Sequence, residues 1–187
     1  MPGLTPNQLY PYPLYTEPAN PAGQIQALAE AIDDSFVAVQ AIVTTALSRP
    51  GAFVTGSVVQ SIPNAGATVM TFDVEVFDTA NLFNLGVSNT NAVVPVGGNG
   101  YYLMVGRVRF ATNATGDRNV RFTKNGAAVT SGYNSRAVTA GVETEHLHWE
   151  FVSVVAGDIL RLEAAQSSAG NLNVDLKQFG LIRMSGP

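Results

Sequence analysis

At Pro50 the spacing of apolar residues changes from alternating three and four to two, so the chain divides into parts of different structure. Upstream, Ile25, Leu28, Ile32, Ser35, Val39, Ile42 and Ala46 fall on heptad positions a and d, and Phe36 and Val43 widen the stripe at e. Asn20 suits an N-cap, Pro21 suits the first helical position, and Pro50 is a stop, so the spacing predicts a helix over 21–47. Such a helix is about 40 Å long at 1.5 Å per residue, longer than a small β domain is wide. Isoleucine at a with mixed residues at d favours three parallel strands, so residues 21–48 are expected to form the stalk of a homotrimer. Packing of the same stripe on the chain's own domain is the alternative.

Residues 1–20 are punctuated by Pro2, Pro6, Pro11, Pro13 and Pro18, with Tyr10, Tyr12 and Tyr15 between them. Proline removes backbone donors and pushes its predecessor to extended conformations, so neither a helix nor a central strand is expected here. A flexible tail is one outcome. An extended anchoring arm that orders on a partner, with the three tyrosines as anchors, is the other and the preferred one.

From Gly51 onward the period is two. The expected strands are 52–59, 69–76, 101–111, 118–124, 127–130, 144–155, 159–166 and 173–184, and the segment between Phe77 and Gly100 is expected to be a long loop. Asn125-Gly126 between short alternating runs is the strongest hairpin signal. Antiparallel strands in this number over residues 51–187 predict a mainly β jelly-roll sandwich.

The order of these features resembles the tumour-necrosis-factor/complement-1q superfamily of trimeric jelly-roll heads. The residues that carry the likeness are Gly100-Tyr101-Tyr102-Leu103, Asn125-Gly126, Gly157-Asp158-Ile159-Leu160-Arg161-Leu162, and Phe179-Gly180-Leu181-Ile182. The closing segment is one residue shorter than the family's F-x-G-F pattern. Separately, Tyr12-Pro13-Leu14-Tyr15-Thr16-Glu17-Pro18-Ala19-Asn20-Pro21-Ala22-Gly23, followed by Gln26–Asp33, resembles the opening of tailed-bacteriophage virion proteins. In those proteins such a segment leads from an anchoring arm into a coiled-coil stalk. The two resemblances together imply a virion component, of the minor-tail or capsid-decoration type, anchored to other virion proteins by its arm and projecting its head. A head that binds or depolymerises host-surface glycan is the alternative.

Charge narrows the partners. The net charge of −4 belongs wholly to residues 1–48, which hold Glu17, Glu30, Asp33 and Asp34 and no Lys or Arg. Acids and bases balance in the remainder. Nucleic-acid binding needs a clustered basic face, so it is not expected. The opening residues lack a basic and apolar leader, and no run has the apolar length of a membrane span, so neither secretion nor membrane insertion is expected. There is no cysteine, hence no disulfide and no thiolate metal site.

Candidate chemistry is sparse, and no enzyme activity and no cofactor are expected. His146, His148 and Glu150 alternate onto one strand face, with Leu147, Trp149 and Phe151 on the other. Two imidazoles and a carboxylate suit a divalent metal. The favoured expectation is instead a polar solvent or inter-subunit face opposite a buried Trp149 face. Asp73, Glu75 and Asp78 are expected on a solvated face, with Phe72, Val74 and Val76 buried behind them. Of Tyr101, Tyr102 and Tyr133, the adjacent pair must split, with one ring in the core.

Overall fold

The computed structural model describes residues 3–4, 11–12, 21–47, 49–129, 134–138 and 140–185. Tyr10, Tyr15, Asn20 and Tyr133 lie outside the described residues, as do the side chains of Tyr12, Ile42, Val43 and Ala46. The chain forms two units, residues 1–49 and residues 50–187.

In the first unit, β1 (Gly3–Leu4) and β2 (Pro11–Tyr12) pair antiparallel, Gly3 opposite Tyr12. Helix α1 runs Pro21–Leu47, opening on the expected proline. Gln26 donates to Glu30 one turn on, at 2.9 Å. Ser35, the polar member of the stripe, donates its hydroxyl to the Ala31 carbonyl at 2.8 Å, which satisfies it within its own helix. Ile25, Leu28, Ile32, Phe36 and Val39 are all exposed. No helix among the described residues is long and apolar enough to cross a membrane.

The second unit is an antiparallel sandwich of two sheets. Its strands are β3 (Gly51–Gly56), β4 (Gln60–Ile62), β5 (Thr68–Val69), β6 (Val74–Asp78), β7 (Phe83–Asn84), β8 (Ser88–Val93), β9 (Gly100–Phe110), β10 (Asp117–Lys124), β11 (Ala127–Ala128), β12 (Asn134–Ala137), β13 (Thr144–Val154), β14 (Ile159–Gln166) and β15 (Leu172–Ser185). One sheet has the order β13-β9-β15-β3-β6, with β4 also on β15. The other has the order β11-β10-β14-β8-β7, with β12 on β10 and β5 on β14. Sequence neighbours such as β9 and β10 lie in opposite sheets, so each inner face meets the other through side chains. Phe179 on β15 is the hub: its ring lies 5.9 Å from Phe72 and 5.7 Å from both Phe83 and Phe122. Around it Val54, Met104, Val108, Phe110, Leu160, Leu162 and Leu181 are fully buried.

The expected hairpin at Asn125-Gly126 is present, with both residues at positive φ, 53° and 83°. It is also a tertiary clasp. Asn125 Nδ2 donates to Asp158 Oδ1 at 2.7 Å, the Ile159 amide donates to Asn125 Oδ1 at 2.8 Å, and the Val155 amide donates to Asp158 Oδ2 at 2.9 Å. Asn125→Ala removes two of these bonds and puts a methyl at positive φ, so it should cost about 2 kcal/mol in urea unfolding.

Two expectations fail here. The supposed loop after Phe77 contains β7 and β8, and β12 lies in another segment read as irregular. These strands are short, and Asn and Ser mask their alternation. Val74 and Val76 are exposed rather than buried behind Asp73 and Glu75. The strand breaks at Asp73, whose carboxylate accepts from the Ser57 amide at 2.6 Å and from the Ser57 hydroxyl. Those bonds hold the Asp73 carboxyl below its ordinary pKa. Beyond the break β6 is an edge strand with a bulge against β3, so only Phe72 reaches the core.

Candidate functional site

Strand β13 forms one edge of its sheet, and its two faces differ in chemistry. The outward face carries Leu147, Trp149 and Phe151, exposed by 63, 60 and 57%. Trp149 and Phe151 meet edge to face at 6.1 Å. From Trp149 an apolar row crosses the whole sheet by strand register: Val105 on β9, Gly180 on β15, Phe53 on β3 and Phe77 on β6. Phe53 and Phe77 stack at 6.4 Å. A Cβ at Gly180 would come within 3.2 Å of the Phe53 ring, so glycine leaves that ring free to lie down on the sheet. Beside this row Phe151, Leu103 and Ile182 form a second one, and Tyr101 and Met184 extend it.

Toward its other end the same face becomes charged. Arg107 holds Glu145 in a two-point pair at 2.7 and 3.0 Å, and Arg109 holds Asp175 at 2.9 and 3.0 Å with Glu143 at 3.4 Å. The hydrogen bonds from Arg107 and Arg109 hold the Glu145 and Asp175 carboxyls below their ordinary pKa values. The face therefore has an apolar platform bordered by fixed ion pairs.

The inward face of β13 carries His146, His148 and Glu150. This reverses the expected orientation: the histidine face is buried and the Trp149 face is exposed. The reason lies across the sandwich, where β10 presents Arg118 and Phe122 to these residues. His148 stacks on Phe122 at 4.9 Å, and its Nε2 meets Glu150 Oε1 at 2.9 Å. His148 Nδ1 lies 3.4 Å from Asn134 Nδ2. His146 is only 1% exposed, sits edge to face with Phe110 at 5.9 Å, and among the described residues has no hydrogen-bond partner on either ring nitrogen. Burial, helped by the nearby Arg136 and His148, pushes its pKa down to about 4. Arg118 is fully buried and donates to the Thr115, Asp117 and Asn113 carbonyls at 3.0, 3.1 and 3.2 Å.

The candidate metal set is not assembled. Among the described residues no three His, Asp or Glu side chains are grouped so as to hold a metal ion. His148 is engaged by Glu150 and Asn134, and His146 is sealed against Phe110. The tyrosine pair splits as expected, Tyr102 buried and Tyr101 exposed. Alternation marks Leu147, Trp149 and Phe151 as one face of the strand, but it carries no signal that this face is exposed and continuous with Val105, Phe53 and Phe77. Among the described residues an open cleft of about 270 Å³ lies beside β13, lined by Lys124, Ala127, Ala128, Val129, Phe151, Val152 and Ser153. It gathers no acid–base pair.

No family model matches the chain, and no curated protein matches it. Solved structures do. The globular domain of zebrafish complement 1qA superposes with a TM-score of 0.54 at 12% identity, over 74% of this chain and 99% of that one. Murine APRIL, in its pH 8.0 crystal form, gives 0.55 at 12% identity, over 73% and 100%. Eiger TNF from S. frugiperda gives 0.53 at 11% identity, over 74% and 94%. At such identities the likeness speaks for architecture alone: residues from Pro50 onward fold as a TNF/C1q-like jelly roll.

Proposed function

We propose that this protein is a structural, non-enzymatic component of a tailed-phage virion, a homotrimer with an anchoring arm, a helical stalk and a jelly-roll head. The observation that carries the proposal is the uncovered apolar face of the β13-β9-β15-β3-β6 sheet. A row with Trp149 and Phe77 exposed and Val105 and Phe53 half-buried is unfavourable for a monomer by about 25 cal/mol for each Å² left exposed. A second copy covers it most economically, because the ion pairs at its border are already satisfied within one chain. Exposed Ile25, Leu28, Ile32, Phe36 and Val39 give α1 a matching unpartnered stripe. Attachment to the particle through Tyr10, Tyr12 and Tyr15 rests on the aromatic residues set in the proline-punctuated arm, and location in the virion rests on the sequence resemblance of residues 12–33.

A second reading has its own observation. Trp149 and Tyr101 stand exposed on one face, and aromatic faces bind sugar rings, so the head would instead bind a host-surface glycan there.

Sedimentation of the full chain at micromolar concentration separates these readings. A trimer is expected for the wild type. Trp149→Asp together with Ile32→Asp should yield folded monomers, with the change in mass as the readout. A monomeric wild type would remove the trimer and leave the aromatic face to the glycan reading. Deleting residues 1–20 should keep the trimer and abolish attachment to particles.

A further inference from the structure

We propose that His146, sealed between the β13 edge of one sheet and the β10–β12 edge of the other, makes this side of the sandwich acid-labile, so that acidification releases β12 from both β13 and β10 while the remaining strands stay paired. The inference does not depend on the virion reading.

The geometry leaves a second positive charge no place in the closed form. Near the His146 ring, β10 contributes the main chain of the fully buried Arg118, β12 contributes Arg136, and β13 itself contributes His148, with Glu150 beyond it on the same face. The inner face of β9 supplies only Val108 and Phe110. Glu150 Oε1 is taken by His148. The Asp117 carbonyl already accepts from Arg118, and among the described residues Arg118 Nε has no partner. The Arg118 main chain favours an imidazolium at His146, but burial and then the Arg136 charge outweigh it. A protonated His146 would therefore sit dry and be repelled by Arg136.

Strand β12 is the element that gives way. It has four residues, three of them exposed, and among the described strands it pairs with β10 alone. Among the described residues it is tied to β13 by the contact from Asn134 to His148 at 3.4 Å and the bond from Arg136 to the Glu145 carbonyl at 2.9 Å. Both end within two residues of His146. Opening hydrates the ring and lets it take a proton near its ordinary pKa of 6.5, whereas the closed form holds out to about 4. Between those limits the opening constant rises by up to about tenfold per pH unit. Since β13 carries the apolar platform on its outer side, opening would also loosen trimers of heads. That consequence alone rests on the proposed assembly.

Amide hydrogen exchange on the full chain, corrected for the intrinsic pH dependence of exchange, tests this between about pH 7 and 4.5. Protection of Asn134–Ala137 should fall by up to about tenfold per unit below about pH 6.5, while β9 stays protected. In His146→Phe, or in His146→Gln if the larger ring is not accommodated, protection of β12 should be independent of pH over this range. Constant protection in the wild type overturns the proposal. So does an unchanged fall in a folded variant, or loss of β9 in step with β12. A His146 ring signal in wild-type NMR that titrates near pH 6.5 in the closed form overturns it without any variant. Sedimentation on the same samples reads assembly separately, so a monomeric protein with an acid-labile β12 would sink the trimer and leave this inference standing.

Discussion

Replacing Phe179 with alanine should lower the unfolding free energy of the head by about 4 kcal/mol, the largest single-site loss expected in this protein. Phe179 is fully buried and contacts Phe72, Phe83 and Phe122, which come from three separate stretches of chain. Truncation removes the transfer free energy of the ring and leaves a cavity walled by other aromatic rings, which cannot collapse without breaking strand register. The same truncation at Phe53, on the outer face, should cost about 1 kcal/mol or less in an isolated head, because the ring is only partly buried. Urea unfolding followed by circular dichroism gives both values. Equal losses at the two positions would mean that Phe179 is not the hub of the core.

Acidification should remove up to about 3 kcal/mol of head stability between pH 6.5 and 4 through His146 alone. The folded protein lowers the His146 pKa from 6.5 to about 4, so over that interval the unfolded chain binds a proton that the native chain refuses. Stability from this group is complete above about pH 6.5 and is lost progressively as pH falls toward 4. His146→Phe should flatten that part of the profile. The carboxylates act later. Asp158, Asp175 and Glu145 have folded pKa values below their ordinary ones, so their contributions are lost only as pH falls through the usual carboxylate range and below it. Two separate acid phases are expected, and only the first should respond to His146. Thermal unfolding across this range, wild type beside variant, would show them.

Much of the fold is legible residue by residue. Pro21 and Pro50 bracket α1 because proline opens a helix at no cost and cannot continue one. The strand at 159–166 follows from a Gly-Asp turn before an alternating run. Asn125-Gly126 announces its turn because few other pairs accept two positive φ values in succession. The clasp between Asn125 and Asp158 was not legible, since 33 positions separate them and only the pairing of β10 with β14 brings them together. Nor were β7, β8 and β12, which are too short and too polar to show a period.

Strand β13 separates the two kinds of information most clearly. Alternation alone determines that His146, His148 and Glu150 share one side and that Leu147, Trp149 and Phe151 share the other. Period two has no sign, however, and hydropathy assigns the wrong one by placing tryptophan inside and histidine outside. Only the tertiary structure decides it. At this edge the opposing sheet offers Phe122 for His148 to stack on and a buried Arg118 beside His146, while the platform of Val105, Gly180 and Phe53 is built on the outer side by three neighbouring strands. A face is inside when something packs on it, and what packs on β13 comes from residues distant in sequence.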